Sequence, residues 1–167
     1  ISIDAEIFML LEGDRPLTMA KSAGLGIIEL ATALDRLAPD VVIIVGDRFE
    51  TIAMSIAAAY MNCPIAHTMG GEVSGTIDES IRHANTKFAQ IHFCATELAK
   101  QRIIKMGEDS EKVFNVGCPR VDVAKEVIKN VNLTKVQANL NSLGVGDVIN
   151  LEHQFLVVSQ HPVTTEY

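Results

Sequence analysis

Apolar and polar positions alternate in blocks along this chain. Val41–Val45 is an unbroken β-branched run, and it predicts a strand buried on both faces. Phe49–Met61 is alanine-rich with apolar positions at helical spacing, and CPIAHT (Cys63–Thr68) then reads as a second short strand. Strand, helix, strand is a parallel crossover unit. The alternation continues: Ile77–Phe88 is helical, with Ile77, Ile81, Ala84 and Phe88 on one face. QIHFCAT is a strand, ELAKQRIIKMGE a helix ending near Gly107 with Lys105 in its last turn, and KVFNVGCP a strand closed by Gly117 and Pro119. Upstream, residues 19–38 form a helix stopped before Pro39. This order predicts an α/β fold, a doubly wound parallel Rossmann-like sheet.

Residues 121–141 differ: the region is polar and helical and reads as a connector. HQFLVVSQHPVTTEY then begins a new strand and stops. The predicted division is residues 1–122 as a Rossmann-like domain, 123–150 as a helical connector and 151–167 as the start of a second domain.

A chain of 167 residues, 48% hydrophobic, has enough material for a core and is not of disordered composition. No apolar run is expected to reach the ~20 residues of a membrane span, and the start ISIDAEIFML lacks the basic region of a signal peptide. The abrupt start and stop suggest a piece of something longer. The net charge of −7 argues against nucleic acid, which selects a basic stripe. It does not argue against a phosphate ligand, which a few local donors suffice to hold. Cys63, Cys94 and Cys118 are far apart, follow apolar residues and lack metal spacing; they read as buried, reduced thiols in a cytoplasmic protein.

In open α/β sheets ligands bind beyond the carboxyl ends of the strands. Three polar groups fall there: Gly46-Asp47-Arg48, the stretch His67–Asp78, and Gln160-His161. Asp47 has two compatible readings. With Glu50 three residues on it fits a helix-capping box; it is also a carboxylate at a strand end beside Arg48, which could hold a phosphate bidentately. Gly70 and Gly71 permit a sharp turn or a close approach to a ligand. Thr76–Glu79 is a second capping box, and Asp78 and Arg82, four apart, share a face. Asp78 falls in a first helical turn, where the helix dipole favours its ionised form, suiting a base or an electrostatic stabiliser. His67 and His83 read as hydrogen-bonded structural histidines. His67, Glu72, Asp78 and His83 show no zinc or iron spacing. His161 precedes Pro162 in HPVTTE, whose imidazole and hydroxyls are compatible with a phosphate.

The stretches GDRFET, GGEVSGTIDESIRHA, FNVGCPRVD and SQHPVTTE resemble the hydrolysing UDP-N-acetylglucosamine 2-epimerases of sialic- and legionaminic-type acid biosynthesis, over nearly the whole chain. The resemblance implies a two-domain, GT-B-like architecture with the site in the cleft, of which this chain matches the first domain without its opening strands, the connector and the first strand of the second domain. It implies that this piece alone is inactive. It implies a UDP-sugar substrate, no nicotinamide cofactor and no metal, neither nucleic acid nor membrane as partner, and a cytoplasmic homo-oligomer. By motif position Asp47 and Asp78 match the family's catalytic acids, and Arg48, Arg82 and His161 match positions near the nucleotide phosphates. One position departs: where much of the family has glutamate before the paired glycines, this chain has Met69, whose thioether neither takes nor gives a proton. Three consequences are open: the two aspartates suffice, the substrate is a variant sugar, or activity is weak or absent. The rival readings are a non-hydrolysing UDP-sugar epimerase or GT-B-like glycosyltransferase, and a non-catalytic UDP-sugar binding protein.

Overall fold

A computed structural model describes residues 2–13 and 15–159. By contact density the chain forms two units that divide between Cys118 and Pro119.

In the first unit a long helix α1 (Pro16–Leu37) is followed by β1 (Val42–Val45), α2 (Phe49–Tyr60), β2 (Ile65–Thr68), α3 (Ile77–Phe88), β3 (Ile91–Cys94), α4 (Glu97–Lys105), a 3-10 turn at Ser110–Lys112, and β4 (Val113–Asn115). The strands form one parallel sheet in the order β1-β2-β3-β4. Each boundary has a local cause. Pro16 opens α1, and Ala38 ends it in the left-handed conformation with its N–H on the Leu34 carbonyl. The Thr96 side chain caps α4 by accepting from the Ala99 N–H.

His67 packs on α3 through Thr86, and its strand partner His92 points to the same face. Cys94, two residues further along β3, packs on Ala99 and Ile103 of α4. Helices α3 and α4 therefore cover the same face, and α2 packs beside α3 on it, joined by the Ser55–Asn85 hydrogen bond. The larger core lies here, built from Leu30, Leu34, Val42, Ile44, Ala53, Ala57 and Ile65.

The opposite face carries Ile43, Val45, Phe93 and Phe114, with the two phenyl rings stacked at 5.8 Å. Ile43 and Val45 are 65% and 68% exposed. The expectation of a strand buried on both faces is corrected: among the described residues β1 pairs with β2 alone and no helix lies over its second face.

α1 is also longer and more apolar than expected. By length and composition it could cross a membrane, with a mean hydropathy of 1.3 over its most apolar window. In the fold, its stripe Ser22, Gly26, Leu30 and Leu34 is buried, where Leu30 and Leu34 join the core that includes Ala53 of α2.

The second unit holds α5 (Pro119–Asn130) and α6 (Leu133–Leu143), neither with a buried residue, which suits the polar composition expected of a connector. The strand expected from 153 onward is not formed: the described residues 154–159 have no regular structure. A strand forms when its backbone groups find a ladder partner, and residues 154–158 find none among the described residues. Gln160 and His161 lie outside the described residues.

Candidate functional site

β1 ends at Val45, and Gly46, with a φ of 91°, turns the chain in a conformation that suits a residue without a Cβ. Asp47 and Arg48 follow, before α2 starts at Phe49. The helix cap is Arg48, with no side-chain capping bond. The capping-box reading of Asp47 is therefore corrected. Its carboxylate accepts a short hydrogen bond from Nη2 of Arg82, 35 positions on. Glu50, expected to reach back to the cap, instead takes both Nε and Nη2 of Arg48 at 3.2 and 3.1 Å.

Arg82 gathers the site. Its side chain is 10% exposed; besides Asp47, Nη1 donates to the Glu72 carbonyl at 2.8 Å, and both terminal nitrogens reach the Ser74 hydroxyl at 3.4 Å. A buried guanidinium is tolerated when each face of its donor fork finds an acceptor. One side chain thus ties the turn after β1 to the loop after β2. Asp78 and Arg82, read as sharing a face, form no ion pair among the described residues, because Arg82 points inward to these acceptors. Asp78 sits half-buried in the first turn of α3. It is close enough to help raise the pKa of Arg48, although Glu50 is the larger cause and Asp47 adds to it.

The loop from Met69 to Thr76 is held on three sides. The Met69 N–H donates to Phe93 O at 2.8 Å, and Met69 takes a φ of 61°, unusual for a residue with a Cβ. Arg102 of α4 donates a short bond to the Gly71 carbonyl. The Glu79 carboxylate accepts the N–H groups of Ser74 and Gly75 at 2.7 and 2.6 Å. Those bonds, Gly75 first, hold the Glu79 carboxyl below its usual pKa. The expected Thr76 cap is in place as a position, but its hydroxyl makes no capping bond, and Glu79 reaches past it.

His67 is fully buried. Its Nε2–H donates to the Gly46 carbonyl at 3.2 Å, and its Nδ1 lies 3.3 Å from the Thr86 hydroxyl, which also donates to the Arg82 carbonyl at 3.1 Å. Burial pushes its pKa down to about 4, so it is neutral, as a structural histidine is. His83 has Nε2 at 3.8 Å from Glu79, and its buried Nδ1 has no partner among the described residues. Among those residues no group of three or more His, Cys, Asp or Glu is arranged to hold a metal ion.

The structure thus brings Asp47 and Arg82 together, sets Asp78 and Arg48 within electrostatic reach, and turns Arg48 onto Glu50. The sequence reading missed Ser74, Thr86, and the network Asn85–Thr51–Ser55. The signal was present in α3. Its buried positions are Arg82, Asn85 and Thr86, a polar stripe at helical spacing, whereas Ile77, Ile81, Ala84 and Phe88 are only half-buried.

A family model described as UDP-N-acetylglucosamine 2-epimerase matches residues 1–167. The UDP-N,N'-diacetylbacillosamine 2-epimerase (hydrolyzing) of Legionella pneumophila is 47% identical over 105 residues, which is 63% of this chain and 28% of that protein. The GDP/UDP-N,N'-diacetylbacillosamine 2-epimerase (hydrolyzing) of Campylobacter jejuni is 33% identical over 97% of this chain and 40% of its own length. The chain therefore spans well under half of either relative. A solved structure of Methanocaldococcus jannaschii UDP-GlcNAc 2-epimerase, in complex with UDP-GlcNAc and UDP, superposes with a TM-score of 0.69 at 28% identity, covering 75% of this chain and 36% of that one. This parallel sheet, with its Asp47–Arg82 pair at the strand ends, belongs to the UDP-N-acetylglucosamine 2-epimerase family.

Proposed function

We propose that the complete protein is a hydrolysing 2-epimerase acting on a UDP-linked N-acetylated amino sugar. The observation that carries this reading is the Asp47–Arg82 pair at the carboxyl ends of the strands, in a chain matched along its length by the family model. A carboxylate takes the proton from carbon 2, the freed electron pair forms the double bond to carbon 1, and UDP leaves with the electrons of the broken C1–O bond. Water then adds across that bond, its hydroxyl to carbon 1 and a proton to the opposite face of carbon 2, giving the free, 2-epimerised sugar. A weakly acidic C–H needs a base held in place, and a departing diphosphate needs cationic donors. Asp47 and Asp78 are assigned the proton transfers. Arg82 and Arg48 are assigned the phosphates, with Arg48 exchanging Glu50 for the ligand, and His161 is assigned to the same group. The enzyme works in the cytoplasm as a homo-oligomer, without nicotinamide or metal.

The sugar has two candidates. UDP-N-acetylglucosamine is one. A UDP-linked diacetamido-trideoxy sugar is favoured by the names of the two relatives above, and the apolar Met69 beside the site is compatible with a less hydroxylated sugar. Asp47→Asn and Asp78→Asn in the complete protein test the roles: each is expected to lower kcat about 100-fold or more. Unchanged turnover in both would remove the assignment.

A further inference from the structure

The turn that carries Asp47 is anchored on both sides by polar side chains, the buried His67 and the half-buried Thr51. On one side His67 donates to the Gly46 carbonyl at 3.2 Å. On the other the Thr51 hydroxyl donates to the Arg48 carbonyl at 2.7 Å. That second bond alone would be an ordinary first-turn contact of a helix. It differs because the Thr51 oxygen also accepts Nδ2 of Asn85 at 2.8 Å, while the Asn85 Oδ1 accepts the Ser55 hydroxyl at 2.7 Å. Asn85 and Ser55 are both fully buried. Three polar side chains from two helices therefore satisfy one another, and their one bond to the backbone outside those contacts falls on the carbonyl next to Asp47.

Apolar residues would fill this space between α2 and α3 without the desolvation cost of burying amide and hydroxyl groups. What the polar set adds is direction: a satisfied network fixes one geometry where an apolar contact permits several. α3 is also the helix that supplies Arg82 to the Asp47 carboxylate and Thr86 to His67. The carboxylate and the carbonyls on either side of it are thus all reached, directly or through one intermediary, from α3, and the Arg48 carbonyl also accepts the Thr51 N–H of α2 at 2.9 Å.

We propose that Thr51 and Asn85 are positioning residues that hold the Gly46–Arg48 turn so that the Asp47 carboxylate meets the substrate carbon in reactive geometry. The proposal rests on the reading of Asp47 as a proton-transfer group. Neither residue touches the reacting atoms. Displacing a reacting group by about 1 Å costs about 100-fold in rate, so the device acts on kcat far more than on nucleotide binding, to which Arg48 of the same turn contributes through a long, exposed side chain.

The test uses the complete protein with Thr51→Val, which keeps shape and removes the hydroxyl, and Thr51→Ser, which restores it. In Thr51→Val, kcat on the UDP-sugar is expected to fall about 100-fold while KM and UDP affinity stay within about threefold, and Thr51→Ser is expected to recover most of the loss. An unchanged kcat in folded Thr51→Val overturns the proposal. So does a parallel fall of kcat, UDP affinity and melting temperature that Thr51→Ser leaves in place, since that is the pattern of a structural defect. If Thr51→Val does not fold, Asn85→Leu takes its place, with the same split of kcat from KM expected and an unchanged kcat overturning the proposal. A readout without turnover separates this claim from the functional reading: the carboxyl carbon NMR signal of Asp47 and the guanidinium signals of Arg82 are expected to move in Thr51→Val and return in Thr51→Ser. If the parent protein turns over no UDP-sugar, those signals still decide the positioning claim, and their constancy overturns it.

Discussion

Asp47 and Arg82 are 35 positions apart in the chain, and a third residue, His67, holds the carbonyl of Gly46 just before Asp47. The imidazole is held neutral by its burial, while Nε2–H donates to the Gly46 carbonyl. Its pKa of about 4 in the fold lies below the 6.5 of an unconstrained histidine. The unfolded chain therefore takes up a proton first as the pH falls. The stability due to this group is complete above pH 6.5, is lost progressively below it, and stops falling near pH 4. Across that window the loss is about 3 kcal/mol. Urea unfolding between pH 7 and 4 should show that much more loss in the parent than in His67→Gln; equal losses would mean that His67 is not held neutral. At this scale the sequence was legible in part. Asp47, Asp78, Arg48 and Arg82 could be named from position after strands and from motif, and His67 could be read as structural. Their partners could not be read, because a capping box and an ion pair use the same residue types. Asp47 was free to cap α2 until Arg82 arrived from α3, and Arg82 was free to pair with Asp78 until a long-range acceptor proved better placed.

Among elements, α3 and the loop before it are where pattern and structure part. Helical periodicity located α3, but reading apolar residues as the buried face picked the wrong stripe. The buried stripe is Arg82, Asn85 and Thr86, whose polar groups find partners on neighbouring elements and so escape a rule built on hydrophobicity. Glycine content was the better guide in the loop. Gly71 has a φ of 80°, and a Cβ there would collide with the Ala99 carbonyl of α4. Gly71→Ala must strain the backbone and push α4 from the loop, so it is expected to destabilise by about 2–3 kcal/mol. Gly24, on the exposed side of α1 with open space around it, gives the contrast: Gly24→Ala should stabilise by about 0.5–1 kcal/mol. Urea unfolding of both variants checks the pair. A Gly71→Ala protein as stable as its parent would show that the loop and α4 are not in the close contact described.

At the scale of the molecule, alternating strand and helix patterns were enough to specify a parallel α/β sheet, because crossover connections leave few alternatives. Burial of whole faces was not legible: Ile43 and Val45 read like core residues yet face outward on β1, since a β-branched run reports strand propensity before it reports what covers the strand. The central claim is about chemistry, and it is tested most directly in deuterated water. The complete protein is incubated separately with UDP-N-acetylglucosamine and with UDP-N,N'-diacetylbacillosamine, and the UDP and sugar products are followed by NMR. The account predicts released UDP and a free 2-epimerised sugar carrying deuterium at carbon 2, from at least one of the two. An epimerised sugar still attached to UDP, or tight binding of both without UDP release, would contradict it.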